Sequence, residues 1–363
     1  MGELMTINMG PQHPSTHGVL YLELKMDGEI VMDCKPHLGY LHRSMEKIAE
    51  NRTYTQFIPF TDRLDYLASM NNNLCYCLAV EKLLNIAVPD RAQYLRVIIA
   101  ELNRVVSHLV AIGTFAQDLG AYATPLFYAF RDREKIVELF DSICGSRLTY
   151  NYMRIGGVSA DIPAGTEQII KDFIAYERKQ LKDYNELLTY NVIFLARSKK
   201  IGILSKELAQ NYSVSGPMLR ASGVKWDIRK EEPYCVYDKF DFDIPVGLNG
   251  DSWDRYKVKL DEIDQSLRII EQAIGAIPEG NPVSKVNRMF KGTGEVYLRT
   301  ENPRGELGFY LVADGGLNPY RCKIRSPSFS NLSVLPDLIK GLNISDAVCV
   351  LGSLDIVMGE IDR

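Results

Sequence analysis

Apolar residues recur along this chain with two different spacings. They alternate with polar residues near the two ends, and they recur every three to four residues through the middle. Alternation is typical of a half-buried strand, whereas the longer spacing predicts an amphipathic helix. We therefore predict an α+β fold in which a long helical bundle forms the core and small β pieces lie at both ends.

Prolines, glycines and the apolar spacing together divide the helical centre into segments. A charged stretch, residues 177–183, is expected to lie on a solvated helix face. Residues 212–250 are rich in glycine, proline and tyrosine and are predicted to be irregular. The predicted helices cover residues 63–86, 89–120, 125–145, 165–196 and 251–277.

Short strands are predicted at both ends of the chain. Residues 4–9 and 19–26 flank a single loop, so they should pair as a β-hairpin. Further strands are predicted at residues 294–299, 308–313 and 320–325. We expect one domain over residues 1–363, comprising an N-terminal hairpin region (1–35), a mainly helical core (63–277) and a C-terminal β/α region (292–363).

Composition excludes several classes of function. The net charge is −4, from 46 acidic and 42 basic residues without a basic run, so we expect no nucleic-acid binding. The longest apolar stretches, such as residues 347–354, are too short to span a membrane. The seven scattered cysteines form no C-x-x-C pair, which indicates reduced thiols, a cytoplasmic setting, and no iron–sulfur cluster or structural zinc in this chain.

The loop at residues 10–18, Gly-Pro-Gln-His-Pro-Ser-Thr-His-Gly, is the most informative motif. It holds His13 and His17, two of the five histidines in the chain, at the tip of the predicted hairpin. Pro14 fixes its own φ and favours an extended conformation at His13. Histidines on such a stiff loop can be presented to a ligand, but a turn whose histidines cap backbone groups fits the pattern equally well.

The second predicted helix carries Glu101, Arg104 and His108 on one side. We interpret them as a polar stripe that satisfies itself, in preference to a catalytic set. Asp118 lies near the end of this helix, where a carboxylate is poorly placed for the helix dipole. It should therefore have a partner, and a histidine would suit.

A second candidate group lies at the start of the first predicted helix, where Arg63, Asp65 and Tyr66 occur together. An acidic residue at a helix start is ordinary. Tyr66 is more informative, because a positive neighbour would make its phenol easier to deprotonate.

Motifs along nearly the whole chain, in order, resemble the D subunit of the proton-pumping NADH:quinone oxidoreductase, respiratory complex I. That family is itself similar to the large subunit of nickel–iron hydrogenases, so the resemblance implies a hydrogenase large-subunit-like fold. The matching segments are residues 10–18, 39–42, 45–47, 50–53, 101–104, 107–109, 127–131, 154–157, 219–223, 304–308, 353–355 and 358–359.

The hydrogenase metal ligands are missing from this chain. By the resemblance, the two C-x-x-C pairs should fall near residues 62–65 and within residues 355–362, and neither segment contains a cysteine. Nickel in that fold needs thiolates, so hydrogenase activity is excluded. In the resembled family the former metal cavity is part of a quinone chamber.

The resemblance also implies roles for particular residues. His17 and Tyr66 match the pair that hydrogen-bonds the quinone carbonyls, and Asp118 matches the acid that partners the histidine. Arg63 matches an arginine close to the terminal cluster of a neighbouring subunit, and His13 shapes the loop. Quinone reduction takes two electrons and two protons, so positioned proton donors of this kind are needed.

The implied function is that of a quinone-binding, peripheral-arm subunit that is inactive alone. It would bind no cofactor itself; quinone is the substrate, and a 4Fe–4S cluster lies in the adjacent subunit. Expected partners are the iron–sulfur B subunit, the C subunit, and the membrane H subunit at the quinone entry, on the cytoplasmic side of the inner membrane. Two alternatives remain: a related reductase that uses ferredoxin or another donor, and a metal-free scaffold subunit.

The sequence departs from the resembled family at two places. Many members carry a histidine at the position of Thr149, where it couples cluster reduction to protonation; threonine cannot titrate. A cluster without that positive charge should have a lower potential, so menaquinone is favoured over ubiquinone as the substrate. Residues 278–291 also form a shorter stretch than in many members.

Overall fold

The computed structural model describes residues 4–11, 18–121, 124–284, 286 and 289–363. Small antiparallel sheets and many helices confirm the predicted α+β class. The strands are β1 (Met5–Met9), β2 (Tyr21–Asp27), β3 (Ile30–His37), β4 (Met153–Arg154), β5 (Gly157–Val158), β6 (Thr293–Asn302), β7 (Gly305–Asp314) and β8 (Arg321–Arg325).

Helices occupy most of the remaining described chain, and the longest are α4 and α11. The helices are α1 (Met45–Glu50), α2 (Tyr54–Thr61), α3 (Ser69–Leu84), α4 (Asp90–Asp118), α5 (Thr124–Cys144), α6 (Thr166–Tyr184), α7 (Val192–Ser198), α8 (Lys206–Asn211), α9 (Pro217–Ala221), α10 (Ile228–Glu231), α11 (Ser252–Gly275), α12 (Pro327–Ser333), α13 (Leu335–Ile339), α14 (Ile344–Leu354) and α15 (Met358–Asp362).

The N-terminal sheet has the strand order β1-β2-β3 with antiparallel pairs. Side chains alternate along a strand, so Leu22, Leu24 and Met26 of β2 share one buried face. That face joins an apolar core with residues of α13 and α14. The pairing of Met9 with Leu22 confirms the predicted hairpin. Residues 12–17 of its loop, including both histidines, lie outside the described residues.

The single helix predicted over residues 63–86 is wrong. The chain forms α2, then a turn, and α3 begins only at Ser69. The Asp65 carboxylate accepts the backbone N–H groups of Leu67 and Ala68 at 3.1 and 3.3 Å. A short acidic side chain that bonds nearby backbone groups competes with the helix, and here it keeps residues 62–68 as a turn.

The helix predicted over residues 165–196 is also interrupted. It ends at Tyr184, a π-helical turn follows over Asn185–Thr189, and Asn191 caps the start of α7. The expectation of a solvated face at residues 177–183 is wrong for Glu177, which is fully buried. Charge alone does not mark exposure, because a buried carboxyl can remain neutral.

Helix α4 runs through the interior of the molecule. Every residue from 94 to 113 is buried, because α3, α5, α11 and α14 all pack against it. The predicted bounds of α4, α5 and α11 are confirmed to within a few residues. Within the described parts of the chain, no helix is both long and apolar enough to cross a membrane.

The C-terminal sheet has the order β6-β7-β8 with antiparallel pairs, and its strands confirm the three that were predicted. Asn302 pairs with Gly305, so only Pro303 and Arg304 form the turn between β6 and β7. Gly305 adopts a φ of 129°, which glycine tolerates and other residues rarely adopt. This tight turn carries Arg304, 2% exposed, into the interior.

Candidate functional site

The turn at residues 62–66 and the C-terminal segment at residues 355–362 meet at Arg304. The guanidinium donates through Nη1 to Asp65 Oδ2 at 2.5 Å and through Nη2 to Asp355 Oδ1 at 3.0 Å. These two segments are the ones where the sequence analysis placed the missing cysteine pairs. A single arginine therefore links two carboxylates, one from each of these segments.

Gly359 allows the two segments to approach closely. A Cβ atom at this position would lie 2.6 Å from the carbonyl oxygen of Leu64 and 3.0 Å from that of Arg63. The guanidinium of Arg43 donates to the same carbonyl of Arg63 at 2.7 Å and to that of Gly359 at 3.2 Å. Asp362 accepts two backbone N–H groups from residues 39 and 41. The motif at residues 39–47 is thereby held at the junction.

Tyr66 lies at this junction with 41% of its surface exposed, so a substrate can reach it. Burial of the remainder raises the pKa of its phenol, and the nearby charge of Asp65 acts in the same direction. The positive charges that oppose this are those of Arg304 and Arg43. The prediction that a positive neighbour would ease deprotonation of Tyr66 is wrong, because the net shift of its pKa is upward.

Arg63, within this turn, has a half-exposed side chain. Its Nη1 donates to the carbonyl of Pro59 at 2.5 Å and lies 3.9 Å from Asp62 Oδ2. Asp62 is buried, and burial raises its pKa to about 7 against hydrogen bonds from Asn73 and Asn151. Asp62 was not among the predicted functional residues, although it lies inside the segment at residues 62–65 that lacks the cysteine pair.

Thr149 precedes a segment that contacts the same turn. It has a φ of 52°, and its hydroxyl donates to the carbonyl of Leu148 at 2.7 Å. Two residues later, Asn151 donates to both carboxylate oxygens of Asp62 at 3.0 Å. Thr149 is thus two residues before the asparagine that binds the Asp62 carboxylate.

Asp118 is exposed at the end of α4 and faces α14. A Cβ atom at Gly352 would lie 2.5 Å from Asp118 Oδ2, so only glycine permits this approach. At the end of the histidine loop, a Cβ atom at Gly18 would lie 3.6 Å from Cγ of Met358. The loop therefore ends against the C-terminal segment, although His13 and His17 themselves are not among the described residues.

A second charged group, the inner network, is buried in the interior. The predicted polar stripe is part of it: Arg104 pairs with Glu101 at 3.2 Å, and His108 Nε2 lies 2.9 Å from Glu262 Oε2. Burial raises the pKa of Glu101, but Arg104 and Arg229 outweigh it and hold that pKa at about 2. The network comprises Glu101, Arg104, His108, Arg220, Asp227, Arg229, Glu262 and Glu301.

Most of these partners are far apart in sequence, which is why sequence reasoning missed them. Arg220 pairs with Glu262 at 2.7 Å and with Glu301 at 2.8 Å, and Arg104 donates to the backbone carbonyl of Glu301. Arg304 and Asp355 were not predicted as site residues, although both lie within the matching motifs at residues 304–308 and 353–355. Within the described residues, no group of histidine, cysteine and acidic side chains could hold a metal ion.

Fold and site together define a mainly helical protein with a buried ionic junction between the turn at residues 62–66 and the C-terminal segment. The chain belongs to the family described as "Respiratory-chain NADH dehydrogenase, 49 Kd subunit", whose model matches residues 118–293 and 284–363. This confirms the resemblance drawn from the motifs.

Curated relatives cover nearly the whole chain. The D subunits of NADH-quinone oxidoreductase from Bacillus mycoides (strain KBAB4) and Bacillus anthracis are each 53% identical over 362 residues, covering 99% of both chains. The protein of the same name from Dehalococcoides mccartyi is also 53% identical, with the same coverage.

Proposed function

We propose that this chain is the quinone-binding, peripheral-arm subunit of a proton-translocating NADH:quinone oxidoreductase. It forms the quinone headgroup pocket beside the terminal iron–sulfur cluster of a neighbouring subunit. The observation that carries the proposal is the junction at Arg304, which holds the accessible Tyr66 next to the segment ending at Asp362. Membership of the 49 kDa family and relatives named for quinone reduction support it.

The chemistry of the junction suits a proton-consuming reaction. A protonated phenol at Tyr66 can donate a hydrogen bond to a quinone carbonyl. Tyrosine holds this proton at neutral pH even at its ordinary pKa, and burial raises the pKa of Tyr66 further. Arg304 and Arg43 supply positive charge that stabilises a developing phenolate. His17 serves as the second ligand, with Asp118 as its partner. His13 shapes the loop.

The electrons enter from a partner. Arg63 and Asn151 both lie against Asp62, and we place the terminal cluster of the iron–sulfur B subunit on this side of the turn, near Arg63 and Thr149. The C subunit and the membrane H subunit complete the surroundings, the latter at the quinone entry, on the cytoplasmic side of the inner membrane. The relatives' names favour NADH as donor over ferredoxin. NADH oxidation by the purified complex tests this choice.

The decisive experiment replaces Tyr66 by phenylalanine in the assembled complex. Losing a hydrogen bond made to a developing charge costs roughly 1.5–3 kcal/mol, which is about one to two decades in rate. Quinone reductase turnover should fall while the complex assembles and NADH still reduces its clusters. Tyr320→Phe, at an exposed tyrosine, is the matched control. Unchanged turnover in Tyr66→Phe would favour the metal-free scaffold instead.

A further inference from the structure

Two buried cations hold the carboxyl end of α14. Lys259 Nζ, from α11, donates to the carbonyl of Ser353 at 3.1 Å, and Arg304 Nε donates to the carbonyl of Asp355 at 2.8 Å. Asp355 follows the last residue of the helix and has a φ of 55°. The last carbonyls of a helix carry partial negative charge and lack partners within it. The two cations therefore fix where α14 ends and where the C-terminal segment begins.

The same two cations balance two carboxylates. Lys259 Nζ lies 3.8 Å from Asp355 Oδ2, while Arg304 binds Asp355 and Asp65. No hydrogen bond to Asp355 Oδ2 occurs within the described residues, so Lys259 is its nearest identified ion-pair partner. Without the lysine, one guanidinium would face two buried carboxylates. Like charges that share such a site favour uptake of a proton by one of them.

Other charged groups near Lys259 are already engaged. On α11 itself, Glu262 binds Arg220 and His108 of the inner network, and Arg255 donates to backbone carbonyls and to Ser353. Near Arg304, Glu360 accepts a hydrogen bond from the backbone of Ser328, and burial raises its pKa to about 8. A carboxyl group carries no positive charge in either protonation state, so Glu360 cannot replace the ammonium group of Lys259.

We propose that Lys259 is a positioning residue for the candidate quinone site. By neutralising Asp355 and binding the end of α14, it keeps Arg304 attached to both Asp355 and Asp65. Asp65 in turn holds the turn that presents Tyr66. This inference rests on the proposed function, because Lys259 would act on the quinone reaction only through the residues that position this tyrosine.

The test compares Lys259→Met and Lys259→Arg in the purified complex, using a short-chain quinone. The methionine variant keeps the apolar stem but loses the charge, so one carboxylate becomes protonated and Arg304 loses an anchor. We expect the KM for quinone to rise roughly tenfold to hundredfold. The ratio of variant to wild-type kcat/KM should also vary between about pH 6 and pH 9. Arginine should restore both.

Lys257→Met is the matched control, since Lys257 lies on the same helix, is partly exposed and pairs with Asp261. A wild-type KM and pH profile in Lys259→Met, or an arginine variant as impaired as the methionine variant, would overturn the proposal. Measuring Tyr66→Phe in parallel separates the two proposals. If Tyr66→Phe is impaired and Lys259→Met is not, only the role of Lys259 fails.

If Lys259→Met does not assemble, the charge-balanced double variant Lys259→Met/Asp355→Asn takes its place. One guanidinium then faces one carboxylate, and assembly should return. Failure of this double variant to assemble would contradict the charge argument, because the packing of the lysine, not its charge, would then be what the fold requires.

Discussion

Glu177 provides a quantitative test of the packing between α5 and α6. Its carboxyl is fully buried, and neither oxygen has a hydrogen-bond partner within the described residues. Beside it, Asp132 accepts hydrogen bonds from Tyr176 and Tyr184, each at 2.7 Å, and from Arg131 at 2.8 Å. Burial, together with the charge of Asp132, raises the pKa of Glu177 to about 8. We predict that Glu177→Gln stabilises this helix pair.

The size of the effect follows from the difference between the pKa of Glu177 in the folded chain, about 8, and its ordinary value of 4.5. Below pH 4.5 the carboxyl holds its proton in both folded and unfolded chains, so it costs nothing. As the pH rises toward 8, only the unfolded chain ionises, and the free energy of unfolding falls. At 1.36 kcal/mol for each pKa unit, the full cost is roughly 5 kcal/mol, reached above the folded pKa. Glutamine cannot ionise and removes it.

Hydrogen exchange with mass spectrometry on the purified complex measures this locally. Amide protection in peptides from α5 and α6 should increase in Glu177→Gln, and by roughly 2–3 kcal/mol more at about pH 8.5 than at about pH 6. Glu186→Gln, at an exposed glutamate after the end of α6, is the control. Equal protection in Glu177→Gln and wild type at both pH values would refute the reasoning.

Three further predictions concern the site. His17→Ala and Asp118→Asn should each impair quinone reduction. The double variant should be little worse than the worse single variant, because the effects of coupled residues are not additive. Fully additive losses in turnover would show that the two residues act independently. Since Thr149 cannot titrate, redox titration of the terminal cluster in the complex should give a low potential with little pH dependence near neutrality. A high, steeply pH-dependent potential would count against menaquinone as substrate. Metal analysis of the folded subunit should find no stoichiometric nickel, iron or zinc, and stoichiometric nickel would contradict the assignment.

Local features of the sequence were sufficient for much of the fold. Pro89 and Asp251 flank the starts of α4 and α11, and the apolar spacing between such signals gave the helices their lengths. The hairpin of β1 and β2 followed from alternation around one loop. These features are local because helix caps and strand alternation depend on neighbours in sequence. The motifs, which are also local, were sufficient to identify the family.

Tertiary structure decided the charged interior. Arg304 and Asp65 are 239 residues apart, and Lys259 contacts the end of a helix that begins 85 residues later, so no local pattern records either contact. Glu177 looked solvated for the same reason, since its burial depends on another helix. A charged side chain becomes stable inside a protein only through partners or through a change of its pKa. Both depend on which elements meet in space, and that information lies in the packing.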